Sequence, residues 1–314
     1  MLRKKALGVA LALCLAATAL AGCSRPASEP TQAAITFVDD LQNQVQLAKR
    51  PERVVSALGS YAETWVLAGG TIVGTTEDAV SERNMELGED VAIIGTVKSP
   101  NAEKILELQP DLVLLSADIE GHVRLAQTLK DAQIPCAFFK VDLFEDYLRM
   151  LKTCTELTGR ADLYEQNGTA VQRRVQRAVE TAQAQPTHPK VLFLRALGTG
   201  AKAKGDDNMT GAMIRDLGAV NIASQHPSLL EDVSMEVILQ EDPDIILVTT
   251  MGDSERAMEA FEKAFVQNPA WGELTAVQND RLVLLDKQLF HYKPNARWGE
   301  SYEALLHILY PDAQ

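Results

Sequence analysis

Asn101-Ala102-Glu103-Lys104-Ile105-Leu106-Glu107-Leu108-Gln109-Pro110-Asp111-Leu112-Val113-Leu114-Leu115 and Ser234-Met235-Glu236-Val237-Ile238-Leu239-Gln240-Glu241-Asp242-Pro243-Asp244-Ile245-Ile246-Leu247-Val248 repeat one pattern. A glutamate, an Ile-Leu pair, a Pro-Asp step and a closing apolar run fall at the same offsets, 133 positions apart. Each copy opens on a helix-capping residue, Asn101 or Ser234. An acid two residues later favours the first turn, and Pro-Asp ends the helix and turns the chain into a buried strand. Good turn chemistry accounts for each copy alone. It does not account for the acid in the same slot of both, so the chain reads as two lobes of similar build.

Working outward, strand-like and helix-like stretches alternate on both sides of the repeat. Arg53–Gly59, Thr71–Thr75, Val91–Gly95, Leu112–Ser116 and Cys136–Val141 read as strands in the first half, interleaved with helices at Tyr61–Ala68, Ala102–Leu108 and His122–Ala132. In the second half, strands are expected at Lys190–Leu197, Ile245–Thr250 and Arg281–Asp286, and helices at Gly211–Leu217, Met235–Leu239, Ser254–Val266 and Arg297–Leu309. Gly198–Gly205 reads as a glycine-rich loop. Short connections between alternating elements point to an α/β fold with mostly parallel sheets flanked by helices. Between the halves no strand signal appears. Leu143–Leu157 reads as one helix, stopped at Thr158-Gly159-Arg160, and Ala161–Ala184 as a second. The second would span ~36 Å at about 1.5 Å per residue and is too polar for a core helix, so it reads as one long bridging helix between the lobes.

The N-terminus carries a different signal. Arg3-Lys4-Lys5 precede an uncharged run from Ala6 to Gly22, which ends Leu20-Ala21-Gly22-Cys23 before a polar stretch. That is the charged and apolar layout of a secretory signal, too short for a spanning helix. Leu-Ala-Gly-Cys resembles the bacterial lipobox, in which the cysteine is lipidated. The expected organisation is a signal peptide at 1–22, a lipidated tether at 23–34, an N-terminal lobe at 35–142, linker helices at 143–187 and a C-terminal lobe at 188–314. Loss of residues 1–22 removes three cations and no acids, moving the formal charge from −13 to −16. Such an acidic body argues against nucleic acid as a partner. Cys136 and Cys154 then remain beside Cys23, and read as two buried free thiols, although an exported chain could pair them.

The signal, the repeat and the bridge together resemble the substrate-binding proteins of ABC importers for iron-siderophores, haem and cobalamin. The resemblance runs from Phe37-Val38-Asp39-Asp40-Leu41 and Pro51-Glu52-Arg53-Val54-Val55-Ser56, through both repeats and Ile214-Arg215-Asp216-Leu217-Gly218-Ala219-Val220-Asn221-Ile222-Ala223. It ends with Asn268-Pro269-Ala270-Trp271 and Val277-Gln278-Asn279-Asp280-Arg281. It implies two α/β lobes facing each other across a cleft. It also implies one surface glutamate per lobe, Glu103 and Glu236 here, offered to arginines of a membrane permease with its ATPase. A carboxylate–guanidinium pair is bidentate and directional. A monomer without cofactor or catalytic residues is expected, tethered to the outer face of a membrane through Cys23.

Ligands of open α/β sheets sit beyond the carboxyl ends of the strands. Tyr61 follows the first strand and Arg195 ends the first strand of the second lobe. Asn208 and Met209 close the glycine-rich loop, and Met251 follows Ile245–Thr250. Phe290-His291-Tyr292-Lys293-Pro294-Asn295-Ala296-Arg297-Trp298 places imidazole, phenol, indole and two cations in nine residues. The candidate ligand-binding residues are therefore Tyr61, Arg195, Asn208, Met209, His291, Tyr292, Arg297 and Trp298. Aromatics beside guanidinium suit an anionic, ring-rich ligand. Trp298 reads equally well as core of the last helix, and Met209 with Met213 as packing. Arg195, Arg297 and Lys293 favour a ferric siderophore over haem or a corrinoid, while His291 is the candidate haem ligand. No enzyme motif competes. Gly200-Ala201-Lys202-Ala203-Lys204-Gly205 is followed by Asp206-Asp207 and fails as a phosphate loop, and no Gly-x-Ser-x-Gly elbow is present. A surface lipoprotein that senses or scaffolds is the reading from another class.

Overall fold

A computed structural model of the chain describes residues 34–313; the signal segment, Cys23 and the tether up to residue 33 lie outside the described residues. The first lobe opens with a hairpin, β1 (Ile35–Val38) against β2 (Gln44–Leu47). β3 (Val54–Ser56), β4 (Ile72–Thr75) and β5 (Ala92–Ile93) follow, then a two-rung hairpin of β6 (Gly95–Thr96) and β7 (Ser99–Pro100), then β8 (Leu112–Ser116) and β9 (Cys136–Phe139). The main sheet is parallel in the order β5-β4-β3-β8-β9. All five residues of β8 are buried, as a parallel strand covered on both faces must be. Leu112 and Leu114 pack on one face with Tyr61 and Trp65; Val113 and Leu115 pack on the other with Ile105, Leu125 and Leu129.

The second lobe holds β10 (Lys190–Leu197), β11 (Gly200–Ala203), β12 (Val220–Asn221), β13 (Ile245–Thr250) and β14 (Leu282–Leu284). The order is β11-β10-β13-β14 with β12 beside the start of β10, and only β11 is antiparallel. This corrects the expected loop. Leu197 pairs with Gly200, leaving Gly198-Thr199 as a two-residue turn, and Gly200 adopts φ +133°, open to glycine alone.

The repeat survives into three dimensions. The helices Ala102–Glu107 and Met235–Glu241 feed β8 and β13. Asn101 Oδ1 accepts from Lys104 N at 3.0 Å, whereas Ser234 makes no side-chain cap bond. The residues before the two prolines, Gln109 and Asp242, both take left-handed backbone, φ 46° and 42°. The aspartates after those prolines do the same work in each lobe. Asp111 accepts from the N–H groups of Glu52 and Arg53 at 2.9 Å each, and Asp244 accepts from Lys190 N at 2.7 Å. Each therefore anchors the head of the neighbouring parallel strand.

Between the sheets run the helix Phe144–Thr158, a left-handed Gly159, and a helical stretch from Ala161 to Gln183 with one π turn at Glu165–Thr169. Val171, Val175, Ala178 and Ala182 form a narrow buried stripe on the Ala170–Gln183 helix, which packs on the last helix, Trp298–Leu309. So narrow a stripe reconciles a polar composition with a packed helix. Arg174 reinforces the contact with a bidentate pair to Glu303, 2.9 and 2.6 Å. Cys136 is half-buried, Cys154 is buried, and both thiols are free.

Candidate ligand site between the lobes

The first helix, Gly59–Leu67, starts directly after β3. It lies so close to the turn after β4 that a Cβ on Gly59 would stand 2.6 Å from Ala79 N. Asp78 fixes this junction, accepting from Gly59 N at 2.8 Å and Thr76 Oγ1 at 2.5 Å. Two strand ends of the first lobe thus present Leu58, Ser60, Asp78, Glu82 and Arg83 along one wall. His291, Tyr292 and Lys293, beyond β14, form the opposite wall of a cavity of about 130 Å³.

Two buried nitrogens at or behind the second wall lack partners. His291 Nδ1 is buried without a partner, and so is Nε of Arg195 near the end of β10. Burial, with the positive charges of Arg195 and Lys287, pushes the His291 imidazole down to about 4. Burial pulls the Arg195 guanidinium down as well. The Lys293 ammonium is also depressed by burial, although Asp142 and Asp118 pull the other way. Tyr292 stands edge-on to His291 at 5.2 Å, with Lys287 Nζ 5.4 Å from its ring centre. A concave site with buried donors short of partners gains most from an anionic or acceptor-rich guest.

The two walls are also bonded to each other. Asn295 Nδ2 donates to Ser60 O at 3.0 Å and to Glu63 Oε2 at 2.9 Å. Glu63 Oε2 receives Arg83 Nε at 2.6 Å and Arg83 Nη2, and Arg83 Nη2 reaches Lys293 O at 2.8 Å. Gln288 Nε2 donates to Glu82 O at 2.7 Å.

Only part of the expected residue set meets here. His291 and Tyr292 line the cavity, and Arg195 is close enough to charge-couple to His291. Tyr61 is instead core: it is 1% exposed, and its hydroxyl donates to Phe139 O at 2.9 Å. Asn208 caps the Met209–Asp216 helix, accepting from Gly211 N at 3.3 Å and donating to Gly205 O at 2.6 Å. Arg297 turns to solvent in a bidentate pair with Glu300, both bonds 2.8 Å. Met209 and Trp298 line a different cavity, about 210 Å³, with Phe144 and Tyr302. Asp78, Glu63, Arg83, Gln288 and Asn295 escaped the sequence reading. Glu103 and Glu236 are exposed in the first turns of their helices and enter no ion pair or side-chain hydrogen bond among the described residues.

Two α/β lobes with a cavity between their strand ends now meet an independent observation. A family described as periplasmic binding protein matches residues 54–289. The chain belongs to that family. Among its relatives within and around the family is an uncharacterized ABC transporter substrate-binding lipoprotein, YvrC of Bacillus subtilis. It is 27% identical, with 98% of each chain covered. The high-affinity heme uptake system protein IsdE of Staphylococcus aureus is 26% identical over 71% of this chain and 76% of its own. In solved structures, IsdE complexed with heme superposes with a TM-score of 0.67 at 21% identity, over 82% of this chain and 98% of that one. The siderophore binding protein BauB, bound to ferric iron and two molecules of acinetobactin, gives 0.69 at 19% identity, over 88% and 97%. These likenesses place the two-lobed fold.

Proposed function

We propose that this chain is the substrate-binding protein of an ABC importer and captures an anionic iron-siderophore between its lobes. The observation that carries the ligand class is the pair of buried nitrogen groups lining the second wall, His291 and Lys293, with the buried Arg195 close enough to act on His291 from behind it. Lys293 and Arg83 bring positive charge to the cavity beside Asp78 and Glu82, and a positive group on an acidic body draws anions toward it. The siderophore carried by BauB supports the same reading. Haem is the second reading. His291, neutral and unpartnered, is the group that would reach a haem iron, and IsdE is a haem uptake protein. The loaded monomer would dock through Glu103 and Glu236 on the two halves of a permease, held at the membrane by a lipid on Cys23. Hydrolysis of ATP would belong to a separate subunit.

Tryptophan-fluorescence titration with the anionic ferric enterobactin and ferric dicitrate, and with haemin, tests the ligand. The expected result is saturable quenching by a ferric siderophore, weakened at least ~10-fold by Arg195→Ala, the loss of a charged hydrogen bond being about 1.5–3 kcal/mol. Quenching by haemin alone, abolished by His291→Ala, selects the second reading. No quenching by any of the three overturns both.

A further inference from the structure

Several polar contacts between the walls centre on one carboxylate of the first helix that does not itself line the cavity. Glu63 Oε2 accepts from Asn295 of the second lobe and from two nitrogens of Arg83, which in turn holds the backbone of Lys293. Asn295 is 1% exposed and sits at φ 52°, a backbone region that asparagine tolerates better than most residues. Its amide spends both donor directions on the first helix, at Ser60 O and Glu63. Gln288 adds a bond to Glu82 O at the other end of the same segment. Residues 288–295 thus belong to the second lobe, where Thr210 and Ser301 also hold Phe290 O and Leu289 O, and they bond across to the first lobe through Gln288, Lys293 and Asn295.

The cavity beneath this segment is about 130 Å³, whereas sites for drug-sized ligands run to about 300–1,000 Å³. Enclosing a haem or a ferric siderophore between these walls therefore requires the walls to part. We propose that Glu63, acting through Arg83 and Asn295, is a positioning residue that latches the His291–Lys293 wall against the first lobe, so that the ligand site stays shut until this latch opens. The latch keeps buried donors from water in the empty protein and lowers the fraction of molecules competent to bind. That fraction multiplies the apparent affinity. The inference rests on the ligand site proposed above.

Amide hydrogen exchange on wild type, Glu63→Ala, Glu63→Gln and Asn295→Gly tests it without any ligand. Glycine admits the φ 52° of residue 295 but also frees its backbone, so the decisive variant is Glu63→Ala, which leaves residues 288–297 unaltered. The expected result is exchange ~10-fold faster or more over residues 288–297 in Glu63→Ala and Asn295→Gly, with Glu63→Gln between these and wild type and β8 unchanged. Unchanged protection at 288–297, or an equal rise in β8, overturns the latch. Stopped-flow binding of haemin, ferric enterobactin and ferric dicitrate supplies the second arm. Whichever probe binds wild type is expected to associate ~10-fold faster with Glu63→Ala; an unchanged rate overturns the latch as a barrier. If none of these probes binds wild type while the exchange result holds, the latch stands and the proposed ligand class falls.

Discussion

His291 meets two cations and little water, so its imidazole stays neutral where a free histidine would charge. Its folded value, about 4, lies below the unfolded value of about 6.5. The unfolded chain therefore binds a proton that the folded chain refuses, and stability falls as pH drops from 6.5 toward 4. Allowing for solvent screening, the loss is of order 2 kcal/mol. Urea unfolding at pH 7.5 and 4.5 should show that much more acid loss in wild type than in His291→Asn. Equal losses would mean the ring is solvated. At this scale the sequence was half legible. A strand end followed by aromatics and cations marked His291 and Tyr292, but rotamer and partner decide which way each residue turns. Arg297 had its partner in plain view at Glu300, three residues on. Tyr61 shares a helix face with Trp65, four residues on, and both are buried. Asn208 stands at capping distance from Gly211. Each of these local pairings outcompetes a ligand that has to come from outside.

Elements carry the repeat, and its two aspartates are where the lobes are most alike. Asp111 holds two strand-leading amides and Asp244 one. Asp111→Ala should cost about 2 kcal/mol and Asp244→Ala about 1 kcal/mol, since a hydrogen bond to a charged group is worth about 1.5–3 kcal/mol when sheltered and less when exposed. Urea midpoints at constant slope measure both; equal or negligible costs would remove the anchoring role. Gln109 sits in left-handed backbone at φ 46°, so Gln109→Gly should be neutral or stabilising by up to about 1 kcal/mol. Helices and buried parallel strands were legible because their apolar periods are long. β11 was not, because Gly-Ala-Lys-Ala offers no apolar alternation and its strand character comes from pairing with β10.

At the scale of the molecule, the bridge and the last helix form one packed pair, closed by Arg174 and Glu303. Contacts such as Asn295 to Glu63 join residues 232 positions apart, and nothing in local sequence announces them. The matching acids were legible because the repeat puts both in first helical turns. If they dock on a permease, Glu103→Arg with Glu236→Arg should abolish stimulation of the importer's ATPase in proteoliposomes, by ~10-fold or more, while ligand affinity stays the same. Retained stimulation would leave both acids as helix-end charges alone.

The capture of an iron chelate between the lobes is tested most directly by thermal unfolding of the protein with ferric siderophores, haemin and cobalamin in turn. Binding to the folded state alone stabilises by about 2.7 kcal/mol at a hundredfold excess over Kd. The expected result is a raised midpoint with a ferric siderophore, reduced in Arg195→Ala. A midpoint that no ferric siderophore or haemin moves would contradict it.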